Sequence, residues 1–279
     1  MKMTIIVPTD FSANARYAAA YACQLAQSQG QQIHLLHCYT SSSIGVSEAD
    51  NDKNPTLLAD EKIQELQTQL IQQYPDLHIT IECSRSLIID KLTELSRSGD
   101  YQLIVMGASG DSQSKPLYWG STTVAVSAKS EIPVIVIPNQ ETPFSNAKAA
   151  LLTNFKPEEL DTLKEFQQLV GTPAQLNLIH VYKENQNGQN VMETLDTWAY
   201  NIREMGTILD IQPIVEPIQK EDEALDTVPE VVSKIITDAN PDIILITPSR
   251  KSFFERLFVG SVSKAIALEL TRPAFFDKI

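Results

Sequence analysis

Cysteine, glycine and tryptophan are scarce in this 279-residue chain, with three, ten and two of each, and basic residues are outnumbered. The cysteines Cys23, Cys38 and Cys83 all fall in the first half, make an odd count and have no CxxC spacing. That excludes a disulfide framework and reads as reduced thiols in a cytoplasmic protein. His37 and Cys38 are neighbours in a strand-like run, so they point to opposite faces and make poor co-ligands; no metal site is expected. No apolar run approaches the ~20 residues of a membrane span, and the run Thr4 to Val7 is far too short for a signal sequence. Neither export nor membrane insertion is expected. Against 35 acidic residues there are 22 basic ones, a net charge of -13 spread over both halves. Such a field repels nucleic acid and anionic membranes.

What is present is a repeat. "QIHLLHCY" at 32–39 and "QLNLIHVY" at 175–182 share Gln, Leu, His and Tyr at the same positions. The likeness extends to "VPTDFS" (7–12) against "LLTNFK" (151–156), and to "YWGSTTVAVSAKSEIPVIVI" (118–137) against "FVGSVSKAIALELTRPAFFD" (258–277). The chain therefore reads as a tandem duplication with domains at 1–141 and 146–279, joined through a Pro-, Asn- and Ser-containing stretch around 138–148. Hydrophobic residues make up 43% of the chain, enough for a core in each half.

Within each half, short apolar runs alternate with amphipathic ones. In the first, Thr4 to Val7 reads as a strand. Ser12 then caps a helix on which Ala15, Ala18, Ala19, Ala22, Leu25 and Ala26 keep helical spacing until Gly30 stops it. Strands at 33–38, 77–83, 103–106 and 134–137 and helices at 57–74, 88–98 and 122–129 continue the alternation. Near-continuous apolar strands between amphipathic helices predict an α/β fold, with each half a doubly wound unit of about five parallel strands. In such sheets ligands lie beyond the carboxyl ends of the strands, where the strand order reverses. Asp10, Cys38, Tyr39 and the stretch from Gly107 onward should then share one crevice.

That stretch, "GASGDSQSKPLYWGST" (107–122), holds three of the ten glycines. Its spacing is Gly107, two residues, Gly110, nine residues, Gly120, then Ser121. With the strand end "VPTDFS", it resembles the ATP-binding branch of the universal stress protein family, whose signature is G-2x-G-9x-G-[S/T]. The resemblance covers the chain as two tandem domains. It implies the Rossmann-like fold of the adenine nucleotide α-hydrolase type and a cofactor-binding set of Pro8, Asp10, Cys38, Met106, Gly107, Gly110, Gly120, Ser121 and Thr122. Asp10 would bond the adenosine part, the backbone near Cys38 would meet the adenine edge, and Gly107 and Gly110 would admit ribose and phosphate. Gly120, Ser121 and Thr122 would offer donors at a helix start, where unpaired N–H groups favour an anion. From the residues alone, Asp10, Ser121 and Thr122 read equally as helix caps, and Met106 as core packing.

In the second half Thr247 and Arg250 replace the first two glycines and Asn154 replaces Asp10, while Gly260 and Ser261 remain. This half is expected not to bind ATP in the family's manner, and instead to pair with the first in an intramolecular pseudo-dimer through the terminal runs at 131–138 and 271–278. A homodimer of the tandem chain stays open. No kinase or P-loop signature is present; Asp111 and Lys115 lie in the glycine stretch, but no catalytic residue is assigned. The expected function is an ATP-binding regulatory module in a stress response, acting on protein partners not identifiable from sequence. Magnesium would accompany ATP, and ADP or AMP are alternative ligands. A weak ATPase or phosphotransferase, and a scaffold in which nucleotide is incidental, are the competing readings. The Ser- and Asp-rich segment 40–56 is read as a flap beside the crevice or a plain connector.

Overall fold

The computed structural model describes residues 2–40, 55–109, 120–183, 187–206, 208–218, 228–247 and 271–278. The chain divides into two compact units, residues 1–144 and 145–277.

In the first unit β1 (Thr4–Pro8) leads to α1 (Ala13–Gln29), then β2 (Gln32–Cys38), α2 (Pro55–Gln73) and β3 (Ile79–Ser84). The chain continues through α3 (Ile88–Ser96), β4 (Leu103–Gly107), α4 (Ser121–Lys129) and β5 (Val134–Ile137). The strands run parallel in the order β3-β2-β1-β4-β5. From β1 the chain winds outward to β3 and then crosses to β4, so the order reverses between β1 and β4. The strands β1, β4 and β5 are almost wholly apolar because helices cover both faces, while the edge strand β3 carries Thr80, Glu82 and Ser84. Arg16 and Gln24 of α1 bond Gln69 of α2 and Tyr74 just after it, so these helices share one face. Helices α3 and α4 pack together and touch β2 and β5 respectively.

Helix α1 begins where the Ser12 hydroxyl accepts from the Ala15 amide, and ends at Gly30, whose φ of 66° lets its N–H reach the Ala26 carbonyl. Both ends agree with the sequence expectation. Tyr21, Leu25 and the alanines of α1 are buried against β1, β4 and β5. His37 and Cys38 do lie on opposite faces. The Tyr39 hydroxyl, on the His37 side, donates to Thr56 of α2, and Cys38 is near Ser86, before α3. Pro55 and Thr56, read from sequence as part of the connector, already belong to α2, while 41–54 lies outside the described residues.

The second unit repeats the plan: β6 (Lys148–Leu152), α5 (Glu158–Leu169), β7 (Gln175–Lys183), α6 (Gly188–Glu204), β8 (Asp210–Ile218), α7 (Val228–Ala239), β9 (Ile243–Ile246) and β10 (Ala274–Phe276). Its strands are parallel in the order β8-β7-β6-β9-β10, the same winding as the first unit. Phe166 of α5 meets Phe275 of β10 edge-on at 5.4 Å, both fully buried. Small details recur: the carbonyl of Pro133 accepts from Ile104, and that of Pro273 from Ile244, each proline leading into its unit's last strand. Among the described residues no helix is long and apolar enough to cross a membrane.

Candidate functional site

Beyond β1 the chain must leave the sheet and enter α1 within four residues. Thr9 makes the turn: its N–H donates to the Leu36 carbonyl at 2.9 Å, and its hydroxyl oxygen accepts from the Phe11 amide at 3.0 Å. Phe11 then adopts a left-handed backbone, φ 65°. Its ring lies 4.5 Å from that of His37, whose Nδ1–H donates to the Thr9 carbonyl at 2.8 Å. Burial lowers the His37 pKa; the Thr9 carbonyl and the Asp10 charge raise it in part, and Lys62 adds to the lowering. Neutral imidazole with its proton on Nδ1 fits this geometry. Asp10, carried outward by the turn, is exposed, and its Oδ1 accepts from the Ser12 amide at 3.0 Å. Asp10 thus braces the helix entry while Ser12 is the cap itself.

The carboxyl end of β4 lies next to β1. Gly107 here has no positive φ, so backbone freedom does not explain it. A Cβ at this position would lie 2.5 Å from Asn14 Oδ1 and 2.8 Å from Asn14 Cγ. The space is taken by Asn14, which is only 3% exposed. Its Oδ1 accepts from the Ser109 amide at 3.0 Å, and its Nδ2 donates to the carbonyls of Pro138 at 2.9 Å and Ile137 at 3.3 Å. Sequence reasoning missed Asn14.

From the other side the amino end of α4 closes on the same strand end. The Gly120 amide donates to the Ala108 carbonyl at 2.7 Å, and the buried Thr123 hydroxyl reaches the carbonyls of Gly107 and Ala108, both at 3.1 Å. Gly120 is the N-cap residue of α4 and offers no side chain, and among the described residues no side-chain cap is made there. Ser121 is exposed and Thr122 half-buried. An uncapped helix start of this kind presents N–H groups and the positive end of a dipole.

The predicted residues divide on this geometry. Asp10, Gly107, Gly120, Ser121 and Thr122 lie on the ends of β1 and β4 and the start of α4. Pro8 ends β1 and is buried; Met106 is buried inside β4, 6% exposed, as the packing reading has it. Cys38 ends β2 with a half-buried thiol that accepts from the Ser86 hydroxyl at 3.6 Å. Burial pushes all three thiols up, Cys23 and Cys83 to about 12, so none is a thiolate nucleophile at neutral pH. Gly110, Asp111 and Lys115 lie outside the described residues, as do Arg250, Gly260 and Ser261. Among the described residues no group of three or more His, Cys, Asp or Glu side chains is arranged to hold a metal.

At the matching place in the second unit, Thr153, Phe155 (φ 62°) and His180 repeat the turn, with His180 Nδ1–H donating to the Thr153 carbonyl at 2.7 Å. The surroundings differ. Glu159, 3% exposed, folds back from α5 to accept from the Thr153 hydroxyl and the Asn154 amide. Burial raises its pKa against those hydrogen bonds. Thr247, standing where the first unit has Gly107, donates to the Thr162 hydroxyl at 2.8 Å, and Thr162 donates to Asp277 Oδ2 at 2.8 Å.

Residues 1–138 match the model of the universal stress protein family. No curated protein matches. Among solved structures, a universal stress protein from Archaeoglobus fulgidus DSM 4304 aligns over 99% of this chain and 96% of its own, with a TM-score of 0.69 and 17% identity. A functionally unknown protein from Pseudomonas aeruginosa PAO1 aligns over 99% and 92%, with a TM-score of 0.62 and 12% identity. A universal stress protein determined in complex with cAMP aligns over 50% of this chain and 98% of its own, with a TM-score of 0.40 and 21% identity. The two full-length alignments extend the likeness of fold across both units. The match over residues 1–138, on a five-stranded unit whose β4–α4 connection carries the glycine spacing, makes the first unit a domain of the universal stress protein family.

Proposed function

We propose that the first unit binds an adenine nucleotide, ATP in the first instance, beyond the carboxyl ends of β1 and β4, and that occupancy regulates the chain's contact with protein partners in a stress response. The observation that carries this reading is the uncapped start of α4, bonded through Gly120 to Ala108 at 2.7 Å beside the point where the strand order reverses. Anion-binding amides there would compensate for the unfavourable field of a chain of net charge -13. The exposed carboxylate of Asp10 has no partner on its second oxygen among the described residues and would accept there from a ribose or base, and Ser121 and Thr122 add hydroxyls beside the amides. Magnesium would travel with the phosphates, which supply most of its oxygen ligands. With its thiols protonated and His37 turned onto Thr9, the crevice is built for binding rather than bond cleavage. Three reduced cysteines fit a cytoplasmic setting.

The second unit, with Thr247 for Gly107 and a buried Glu159 beside Asn154, is proposed not to take nucleotide in this way. Calorimetric titration tests both statements: about one ATP per chain is expected, with Asp10→Ala and Gly110→Val each weakening binding about tenfold or more, a change of ~1.4 kcal/mol. Gly260→Val should leave binding unchanged. Equal losses from Gly110→Val and Gly260→Val would overturn the asymmetry, and no binding by the intact chain would overturn the reading.

A further inference from the structure

We infer that Asn14 is the positioning residue of the first unit's glycine loop: its side chain sets where residues 107–109 leave β4, and so whether that loop can receive a ligand. This rests on the nucleotide reading above and names the group that enforces its geometry.

Three separate backbone groups end on one carboxamide. The Ser109 amide donates to Oδ1, while the carbonyls of Ile137 and Pro138 accept from Nδ2. A short arm carrying an acceptor and a two-proton donor is special to asparagine; a hydroxyl has one proton, and leucine of the same size has neither. Without Asn14 the Ser109 amide loses its acceptor among the described residues, while the Ile137 and Pro138 carbonyls each lose one donor and keep the amides of Ala108 at 2.8 Å and Gln140 at 2.7 Å. Gly107 is the counterpart of this arrangement, because any side chain there would displace the carboxamide. Asn14 therefore joins the first turn of α1, the loop after β4 and the end of β5 at one point. Across the loop, Gly120 and Thr123 hold the carbonyls of Gly107 and Ala108. The peptide groups of 107–109 are thereby fixed from two sides, by α1 and by α4.

The second unit provides the contrast. Its tie lies further along the helix, at Thr162, and ends on the side chains of Thr247 and Asp277. The strand ends are joined in both units: in the first the joining group bonds backbone at 109, 137 and 138, and in the second the bonds among the described residues that reach Thr247 and Asp277 run between side chains.

The test uses the full chain and ATP as probe. Asn14→Leu removes the carboxamide at constant size; Asn14→Asp keeps an oxygen for the Ser109 amide while setting a second oxygen against the Ile137 and Pro138 carbonyls. Each variant is read by ATP affinity, by thermal unfolding and by hydrogen exchange at the Ser109 amide. Asn14→Leu is expected to weaken ATP about tenfold or more and to speed Ser109 exchange. Asn14→Asp is expected to restore most of the affinity and protection while remaining less stable than the parent. A purely structural residue would instead show affinity following stability in both variants. If Asn14→Leu binds ATP as the parent does while Gly110→Val does not, the positioning role is overturned and the nucleotide reading stands. If the parent binds no ATP, both fall, whatever happens at Ser109. Should Asn14→Leu fail to fold, Asn14→Ser, too short to span the three groups, replaces it with the same outcomes.

Discussion

Phe11 and Phe155 hold the same left-handed backbone, φ 65° and 62°, each just beyond the first strand of its unit and each with its ring against a histidine, His37 at 4.5 Å and His180 at 4.4 Å. A bulky residue in this region costs about 1–2 kcal/mol. Its appearance in both halves ties the strain to the fold: the chain must reverse within a few residues to lay its first helix on the sheet, and a ring on the imidazole offsets the cost.

This predicts an unusual order of variants. Phe11→Ala loses the ring contact and keeps the strain, for a loss of about 2–3 kcal/mol at a half-buried aromatic. Phe11→Gly loses the same contact but removes the strain, offsetting the extra chain entropy of glycine. The glycine variant should therefore be at least as stable as the alanine variant in urea unfolding. A glycine variant clearly less stable than alanine would mean the left-handed turn carries no strain.

Acid should weaken the fold before its carboxylates are neutralised. Burial is the first cause holding His34, His37 and His180 below the ordinary 6.5, partly opposed by Glu82 at His34 and by the Thr9 and Thr153 carbonyls at the others. Below pH 6.5 the unfolded chain takes up protons that the folded chain refuses, so stability present above that value is lost as pH falls toward the lowered folded values. Glu159 works in the other direction: its raised pKa means that its charge costs stability at neutral pH, a cost relieved as pH falls through its folded value above 4.5. The urea midpoint is expected to fall between pH 7 and pH 6. It should fall less in His37→Asn, whose amide can donate to Thr9 without titrating. A slope equal to the parent's in that variant would remove His37 from the account.

Much of this fold is legible in the sequence because local and tertiary preferences agree. The strands β1, β4, β5, β6, β9 and β10 are nearly unbroken apolar runs, Ser12 and Gly30 bound α1 as cap chemistry requires, and the His and Tyr repeated at 37 and 39 and at 180 and 182 reveal the duplication. Asn14 was hidden by its type, since a polar residue near a helix start reads as solvent-facing. Its spacing held the signal: Asn14, Ala18 and Ala22 form one i, i+4, i+8 stripe, and all three are buried. The left-handed Phe11 opposes every propensity for its type and could not be read locally. Gly107 was read as making room for a ligand, whereas the room where its side chain would stand is filled by Asn14.

In the second unit Thr162, fully buried, passes a hydrogen bond from Thr247 on to Asp277. Thr162→Val keeps the shape and removes both bonds together with the 3.3 Å bond to the Glu158 carbonyl, so a loss of about 1–3 kcal/mol is expected. Thr247→Val removes one bond and should cost less. Because the two hydroxyls form one chain, the double variant should lose less than the sum of the single losses in chemical unfolding. Strict additivity would show that the bonds act independently.

Gly107→Ala tests whether space, rather than backbone freedom or an approaching ligand, dictates glycine at the end of β4. The backbone there lies outside the positive-φ region, so alanine meets no conformational penalty. The new methyl would stand 2.5 Å from Asn14 Oδ1, 2.8 Å from Cγ and 3.2 Å from the Asn14 backbone carbon. Two of those neighbours are side-chain atoms, and the third, a backbone atom, is tight but less so, so most of the clash belongs to the carboxamide. Overpacking of this kind costs about 1–3 kcal/mol, with no nucleotide present. Asn14→Ala in the same chain removes the colliding atoms, so Gly107→Ala introduced into that background should cost far less than in the parent. Equal costs in the two backgrounds, measured by unfolding without ligand, would mean that Asn14 is not what keeps position 107 bare.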